Sequence, residues 1–137
     1  MQQGFKNVWI VDISKEACTR IRKRIPSLNE KQIINKDFFD FEGKFDLILE
    51  QTFFCALNPK MREAYTEKMH ELLNPNGLLV GLLFQKELFT DHPPFGGFKE
   101  DYLPLFSQHF DVQIMETAYN SIPPRQNFEL FIKIAPK

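Results

Sequence analysis

The chain has 137 residues, with 18 acidic against 17 basic side chains, and this length predicts one domain over residues 1–137. Since neither sign of charge forms a long block, we expect neither nucleic acid nor a membrane surface as a partner. No apolar run nears the roughly 20 residues that span a bilayer, and the two cysteines, Cys18 and Cys55, predict no disulfide framework and no metal site, which favours a cytoplasmic protein.

The first predicted elements are a buried strand and a capped helix. Val8-Trp9-Ile10-Val11 is a continuous apolar run, which is typical of a strand buried on both faces. The run ends at Asp12. Ser14 then supplies a helix N-cap, and Pro26 stops the helix. A short strand over residues 32–36 follows.

The connection to the next strand, predicted from Phe45 to Leu49, is short. Seven residues separate Asp37 from Phe45, whereas a parallel crossover usually needs a dozen or more. Seven extended residues reach roughly 23–25 Å, about one strand length. The residues alone therefore leave two alternatives open: a chain that runs back along a parallel sheet, or an antiparallel hairpin.

The second half of the chain predicts a long helix, which Asn58-Pro59 opens and Asn74-Pro75-Asn76-Gly77 ends. An apolar strand over 78–84 and a short helix over 101–108 come next, and Pro104 suits that helix only in its first turn. The alternation of strands and helices predicts an α/β fold with a mainly parallel sheet. Two strands with alternating polarity close the chain, over residues 112–118 and 128–134.

Polar side chains follow three of these strands, at Asp12, at Asp37-Phe38 and at Glu50-Gln51. An acid at the end of a parallel strand can accept hydrogen bonds from the ribose hydroxyls of a nucleotide. A second acid followed by an aromatic ring can bind adenine. The alternatives are that Asp12 belongs to a helix-entry turn, that Asp37 caps a turn and that Phe38 is core.

Other conspicuous residues have plainer interpretations. Cys55 could be a nucleophile, but no histidine lies near it in sequence, so we interpret it as a buried thiol. We interpret His92 as an exposed loop histidine and Trp9 as a core residue. No Ser/His/Asp arrangement and no metal-ligand spacing are present in the sequence.

Four segments of the chain resemble, in this order, the thiopurine/thiol S-methyltransferase family, whose members use S-adenosyl-L-methionine. They read VDIS, KDFFDFEGKFDLILEQTFFCALNPKMREAY, LLNPNGLLVGLLF and HPPFGG, and the part EQTFFCALNP is highly specific. The resemblance implies a class I, Rossmann-like methyltransferase fold with a mostly parallel sheet and a C-terminal antiparallel hairpin. In such a fold the short link before Phe45 needs no helix.

The resemblance also implies an enzyme and the residues of its site. Asp12 would hold the ribose of the cofactor, Asp37 and Phe38 its adenine, and Gln51 its methionine part. The acceptor would be a small thiol, a thiopurine or a similar soft nucleophile, for which positioning in a dry site matters more than a catalytic acid or base. The walls of its pocket would be Phe53, Phe54, Pro94 and Phe95.

One feature of the family is missing from this sequence. No Gly-x-Gly pattern precedes Asp12, where the family has a first strand and a glycine-rich turn. We therefore expect a truncated domain without the first strand and helix. Two alternatives follow: a catalytically inactive module that forms a homo-oligomer through exposed sheet edges, or a site for another nucleotide, such as a nicotinamide cofactor.

Overall fold

The computed structural model describes residues 4–137, and the chain divides into two compact units, Met1–Glu42 and Gly43–Lys137. Each unit has its own sheet, of two strands in the first and four in the second. The prediction of one domain over residues 1–137 stays a prediction. Among the described residues, no helix combines the length and the apolar character that crossing a membrane requires.

The first unit consists of a small parallel sheet and one helix. Strand β1 (Ile10–Asp12) pairs in parallel with β2 (Ile33–Asn35), and helix α1 (Lys15–Arg24) connects them. The helix begins where predicted, because the Ser14 hydroxyl accepts a hydrogen bond from the Ala17 N–H at 3.1 Å, which satisfies one of the free donors of the first turn.

Trp9 corrects the sequence prediction in this unit. Its side chain is 43% exposed and its indole Nε1 donates a hydrogen bond to Asn7 Oδ1 at 2.9 Å. The predicted strand over 8–11 begins only at Ile10. The apolar run was thus a correct sign of a strand, but its first residues precede the paired segment.

The second unit is built around a four-stranded sheet with the order β3-β4-β6-β5. Strand β3 pairs in parallel with β4, whereas β4 with β6 and β5 with β6 are antiparallel, so the predicted C-terminal hairpin is confirmed. Because β2 pairs with β1 and β3 with β4, the hairpin alternative for the short link is wrong. The elements of this unit are β3 (Phe45–Gln51), α2 (Arg62–Leu72), β4 (Leu73–Phe84), α3 (Lys99–Ser107), β5 (Phe110–Thr117) and β6 (Glu129–Pro136).

Two details of the second unit differ from the prediction. Strand β4 begins at Leu73, directly after α2, rather than at the predicted residue 78, and its pairing with β3 is irregular through Asn74-Pro75-Asn76-Gly77, the segment that was predicted to end the helix. Pro104 lies beyond the first turn of α3. Proline lacks the N–H that would bond the carbonyl of Glu100, and the buried side chains of Tyr102 and Phe106 anchor this helix in its place.

Aromatic rings fill the core of the second unit beside the sheet. The ring centroid of Phe54 lies 5.0 Å from that of Tyr65, 5.5 Å from that of Tyr102 and 5.8 Å from that of Phe106. The pairs with Tyr65 and Tyr102 are edge-to-face, a geometry that adds to the stabilisation from apolar burial. The segment that follows β3 is therefore fixed from behind by a packed aromatic cluster.

Candidate functional site

Asp12 ends β1 and also shapes the entry to α1. Its Oδ1 accepts a hydrogen bond from the Ser14 N–H at 2.8 Å, so the helix-entry interpretation of this residue is what the local geometry shows. A carboxylate has about four acceptor positions, and Asp12 is half-buried rather than buried. The remaining acceptor capacity is chemically suited to a ribose diol.

Asp37 and Phe38 follow β2 in the same unit. Asp37 Oδ1 accepts a hydrogen bond from the Phe39 N–H at 2.9 Å, which caps a short 3-10 turn. The ring of Phe38 is half-buried, with its centroid 5.2 Å from that of Phe39. The Lys36 N–H donates to the carbonyl of Asp12 at 3.1 Å, so the structure brings the carboxyl ends of β1 and β2 together, as the sequence predicts.

The turn after β3 carries the next candidate residues. Gln51 is exposed at the end of the strand, opposite Leu82 of β4. Thr52 then has a φ of 60°, a left-handed conformation that is costly for a β-branched residue. After this sharp change of direction, Phe53 lies half-buried with its ring centroid 6.1 Å from that of Tyr65.

Glu50, just before this turn, is a buried carboxylic acid. Its side chain is 3% exposed and accepts a hydrogen bond from the Phe54 N–H. The Tyr65 hydroxyl and the Phe53 N–H also lie beside the carboxylate and act to lower its pKa. Burial raises the pKa of Glu50 to about 7, against the opposing effect of these donors. Burial, together with the negative charge of Glu50, also raises the pKa of the Tyr65 hydroxyl well above its usual value.

Arg62 connects Phe54 to the loop that carries Pro94 and Phe95. Its guanidinium carbon lies 4.8 Å from the centre of the Phe54 ring, and its Nη2 donates to the carbonyl of Gly96 at 2.7 Å. The Phe95 N–H donates to the carbonyl of Cys55 at 2.7 Å. The structure therefore joins the predicted wall residues Phe54 and Phe95 through two polar contacts and one cation–π contact.

The exposure of the four predicted wall residues is uneven. Phe53 and Pro94 are half-buried, whereas Phe54 is 2% and Phe95 6% exposed. The second unit also holds a cavity of about 10 Å³, room for roughly one water molecule. It is lined by Thr52, Phe54, Cys55, Leu82, Leu83, Phe84 and Glu129. In this conformation Phe53 and Pro94 are the wall residues that an acceptor could touch directly.

Cys55 and His92 have the surroundings of structural residues. Cys55 is buried, and burial followed by the charge of Glu50 raises the pKa of its thiol, which is the opposite of what a nucleophile requires. His92 is exposed, with its ring centroid 4.0 Å from that of Phe89. Within residues 4–137 no three His, Cys, Asp or Glu side chains form a group that could hold a metal ion.

The candidate residues fall into two sets. The first unit holds Asp12, Asp37 and Phe38, and the second holds Gln51 and the four wall residues. Within each unit the structure brings its set together, whereas the convergence of both sets around one nucleoside stays a prediction. Sequence reasoning missed Arg62, because a charged residue near a helix start is usually solvated. It also missed the proximity of Tyr65 to Glu50, because the two residues lie far apart in the sequence.

Comparisons with known proteins identify the family to which the chain is similar. The sequence profile of the family described as thiopurine S-methyltransferase matches residues 5–131. The chain is 33% identical over 128 residues to the probable thiol methyltransferase 2 of Arabidopsis thaliana, covering 87% of this chain and 55% of that protein. It is 31% identical over 131 residues to thiocyanate methyltransferase 1 of the same plant, with the same shares of 87% and 55%.

A solved structure with the same fold is the glycopeptide N-methyltransferase MtfA complexed with S-adenosyl-L-homocysteine. It matches with a TM-score of 0.77 at 13% identity, over 99% of this chain and 76% of that chain. The likeness confirms the predicted methyltransferase fold. The chain spans about half the length of the two plant relatives, 55% in each case.

Proposed function

Because the chain belongs to the thiopurine S-methyltransferase family, we propose that it is an S-adenosyl-L-methionine-dependent methyltransferase whose acceptor is a thiol, a thiopurine or a similar soft nucleophile. The observation that carries this proposal is the pairing of β1 with β2, which sets the half-buried Asp12 and Asp37 at neighbouring strand ends. Strand ends of this kind are where α/β sheets bind nucleotides.

The names of the relatives support the choice of acceptor and cofactor. Two of them are thiol and thiocyanate methyltransferases, and the structural neighbour was solved with the demethylated cofactor. In our proposal Asp12 accepts hydrogen bonds from the ribose, Asp37 accepts one from the adenine amino group, and the ring of Phe38 lies against the base. Gln51 would contact the methionine part of the cofactor.

The bound cofactor would supply an electrophilic methyl group on a sulfonium centre. The chain's own contribution is then to orient and to exclude water, since a thiolate attacking a sulfonium needs little proton transfer. Phe53 and Pro94 offer half-buried apolar surface for the acceptor, whereas Phe54 and Phe95, which follow them in sequence, are buried. Accordingly, the proposal assigns no catalytic acid or base.

Isothermal titration calorimetry with S-adenosyl-L-homocysteine tests the cofactor half of the proposal. Asp12→Ala should weaken binding by about 1.5–3 kcal/mol, the range of a hydrogen bond to a charged group. Asp40→Ala is the matched control, because Asp40 is an exposed acid of the same unit to which we assign no contact. Equal affinities of the two variants would remove Asp12 from the site.

A transfer assay tests the acceptor half. Incubation of the chain with methyl-labelled S-adenosyl-L-methionine and either a small thiol, a thiopurine or thiocyanate should give labelled product with at least one of them. Cofactor binding without transfer to any of the three would contradict the proposed acceptor class and leave the cofactor site standing.

A second candidate function, an oligomeric module without catalytic activity, is favoured by the position of β3 in its sheet. This strand lies at the edge of the four-stranded sheet, and its Leu47 and Leu49 are 54% and 76% exposed. Exposed apolar edges invite pairing with another chain. Light scattering distinguishes the two: a monomer that methylates a thiol contradicts the second function, and an oligomer that binds no cofactor contradicts the first.

The cytoplasmic location also stays a prediction. It is supported by the two cysteines, Cys18 and Cys55, which are both free and buried, as expected of a protein from a reducing compartment.

A further inference from the structure

Glu50 is a buried carboxylic acid that the neighbouring strand and the following turn enclose closely. Strand β4 passes it at Gly81, where an added Cβ would lie 2.3 Å from the carbonyl oxygen of Glu50 and 2.6 Å from its Cβ. Only glycine leaves room there. On its other side the carboxyl group faces the backbone N–H groups of Phe53 and Phe54 and the hydroxyl of Tyr65.

The groups around Glu50 include donors but no paired cation. Helix α2 contributes Tyr65, which is fully buried, and Arg62, whose guanidinium lies over the ring of Phe54. The turn contributes Cys55, whose pKa responds to Glu50 and to two arginines, Arg125 and Arg62. Helix α3 contributes Tyr102, against the Phe54 ring, while β4 contributes Gly81, without a side chain. None of the ion pairs among the described residues involves Glu50.

We infer that Glu50 is a positioning residue, whose ionised carboxylate holds the turn from Gln51 to Phe54 in place through the hydrogen bond that it accepts from the Phe54 N–H. The inference rests on the proposed function for its consequence: the same turn presents Gln51 to the cofactor and Phe53 to the acceptor. Glu50 itself touches neither ligand in this scheme. It acts through the backbone on residues that do.

Protonation of Glu50 changes what this carboxyl group can do. An ionised carboxylate only accepts hydrogen bonds, whereas a neutral carboxyl group must also donate one. The Phe54 N–H then faces a weaker acceptor, as do the neighbouring Phe53 N–H and Tyr65 hydroxyl. Because burial raises the pKa of Glu50 to about 7, both forms are populated near neutral pH, and the turn should loosen as the pH falls through that value.

A nuclear magnetic resonance titration of the intact chain tests the device without any ligand. Between pH 5.5 and 8.5 the Phe54 amide signal should shift with a midpoint near 7 in the natural chain. Glu50→Gln, which keeps the shape and an acceptor oxygen but does not ionise, should abolish that shift. Glu67→Gln, at an exposed acid of α2, is the matched control and should titrate like the natural chain.

Two results would overturn the inference: a Phe54 amide that does not titrate in the natural chain, or one that titrates unchanged in Glu50→Gln. The first needs no variant, so a folding failure of Glu50→Gln leaves the inference testable. Calorimetry with S-adenosyl-L-homocysteine adds the functional readout. Its affinity should fall about five-fold from pH 8 to pH 6 in the natural chain, the difference between a charged and a neutral hydrogen bond, and stay flat in Glu50→Gln.

The two arms separate the failure of this inference from that of the proposed function. Titration of the Phe54 amide without cofactor binding at any pH supports the device at the turn and contradicts the methyltransferase proposal. Cofactor binding that keeps its pH dependence in Glu50→Gln supports the methyltransferase proposal and contradicts the role of Glu50, because another group would then bind the proton.

Discussion

The two units of this chain divide the candidate site and the stabilising core unequally. The first unit carries the acids predicted to bind the nucleoside, yet its buried apolar residues are only Cys18, Ile33 and Phe41 among those described. The second unit has an extensive buried core, and it also buries the carboxyl groups of Glu50 and Glu129. The acids proposed to bind the nucleoside thus belong to a unit with a small buried core, and the apolar wall residues belong to a unit with a large one.

The difference has a physical reason. Strands β1 and β2 have three residues each, whereas β4 has twelve and β5 and β6 have eight. A longer ladder buries more apolar surface and stabilises in proportion to the area removed from water. The apolar burial of the second unit can therefore offset the cost of removing the Glu50 carboxyl group from water. The short sheet of the first unit buries too little apolar surface to do the same.

Truncation of a core ring should have the largest effect and should separate the two units. Phe106→Ala removes a fully buried ring that contacts Phe54 and Phe110, and we expect the free energy of unfolding to fall by about 3–5 kcal/mol. Phe41→Ala, at an 8% exposed ring of the first unit, should cost less. Urea unfolding followed by circular dichroism measures both, and a larger loss at Phe41 would reverse the comparison.

The free energy of unfolding should depend on pH because the second unit buries the carboxyl group of Glu50. The pKa of Glu50 is raised from 4.5 to about 7 by burial, so between these values the folded chain binds more protons than the unfolded chain. The free energy of unfolding therefore falls as the pH rises through this window, by about 3 kcal/mol from this group. The fold is thus more stable with Glu50 protonated, although the proposed turn needs it ionised.

Urea unfolding at several pH values measures this effect. Glu50→Gln should remove the slope between pH 4.5 and 7, while Glu67→Gln should keep it, so that histidine titration cancels in the comparison. A slope that survives in Glu50→Gln would mean that the carboxyl is solvated in the folded state.

Loss of the N-cap of α1 should lower the stability of the first unit, which has only a small core. Ser14→Ala removes the hydroxyl that accepts the Ala17 N–H, which should lower the free energy of unfolding by about 1 kcal/mol. Thr19→Ala is the control within α1, because the Thr19 hydroxyl bonds the Lys15 carbonyl inside the helix, where alanine is the better helix former. Thermal unfolding measures both, and equal effects would contradict the capping role.

Local patterns predicted much of this fold because they report on neighbours in sequence. Ser14 marked the start of α1 and the apolar run before Glu50 marked β3, as the structure has them. The burial of Glu50 could not be read in this way, since it depends on Gly81 and Tyr65, which only the folded chain brings close. Trp9 shows the opposite error, because its ring is 43% exposed although it belongs to a continuous apolar run.

The candidate site also has a part that neighbours in sequence predicted and a part that only the folded chain shows. Asp12 and Asp37 were predicted from their place after apolar runs, and both do end or follow strands. That Phe54 and Phe95 are buried while Phe53 and Pro94 are only half-buried was not predictable, because aromatic residues in a specific motif look alike whether they line a pocket or support it. Only the contacts of Arg62 with the Phe54 ring and the Gly96 carbonyl reveal the supporting role.

The smallest predicted effect lies at Thr52, where the rigid unit carries backbone strain next to the proposed cofactor contact. Its φ of 60° costs a non-glycine residue about 1–2 kcal/mol, and Thr52→Gly recovers this but loses about 0.5–1 kcal/mol in chain entropy. The net gain in the free energy of unfolding should be about 0.5 kcal/mol. Asn127→Gly, at the other described non-glycine residue with positive φ, should gain less, because asparagine tolerates that region. Urea unfolding of the two variants side by side measures the difference.

A loss of stability in Thr52→Gly would contradict this prediction. It would show that the hydrogen bond from the Thr52 hydroxyl to the Gln51 carbonyl, 2.7 Å long, outweighs the strain. The turn would then be held by its own side chain as well as by Glu50.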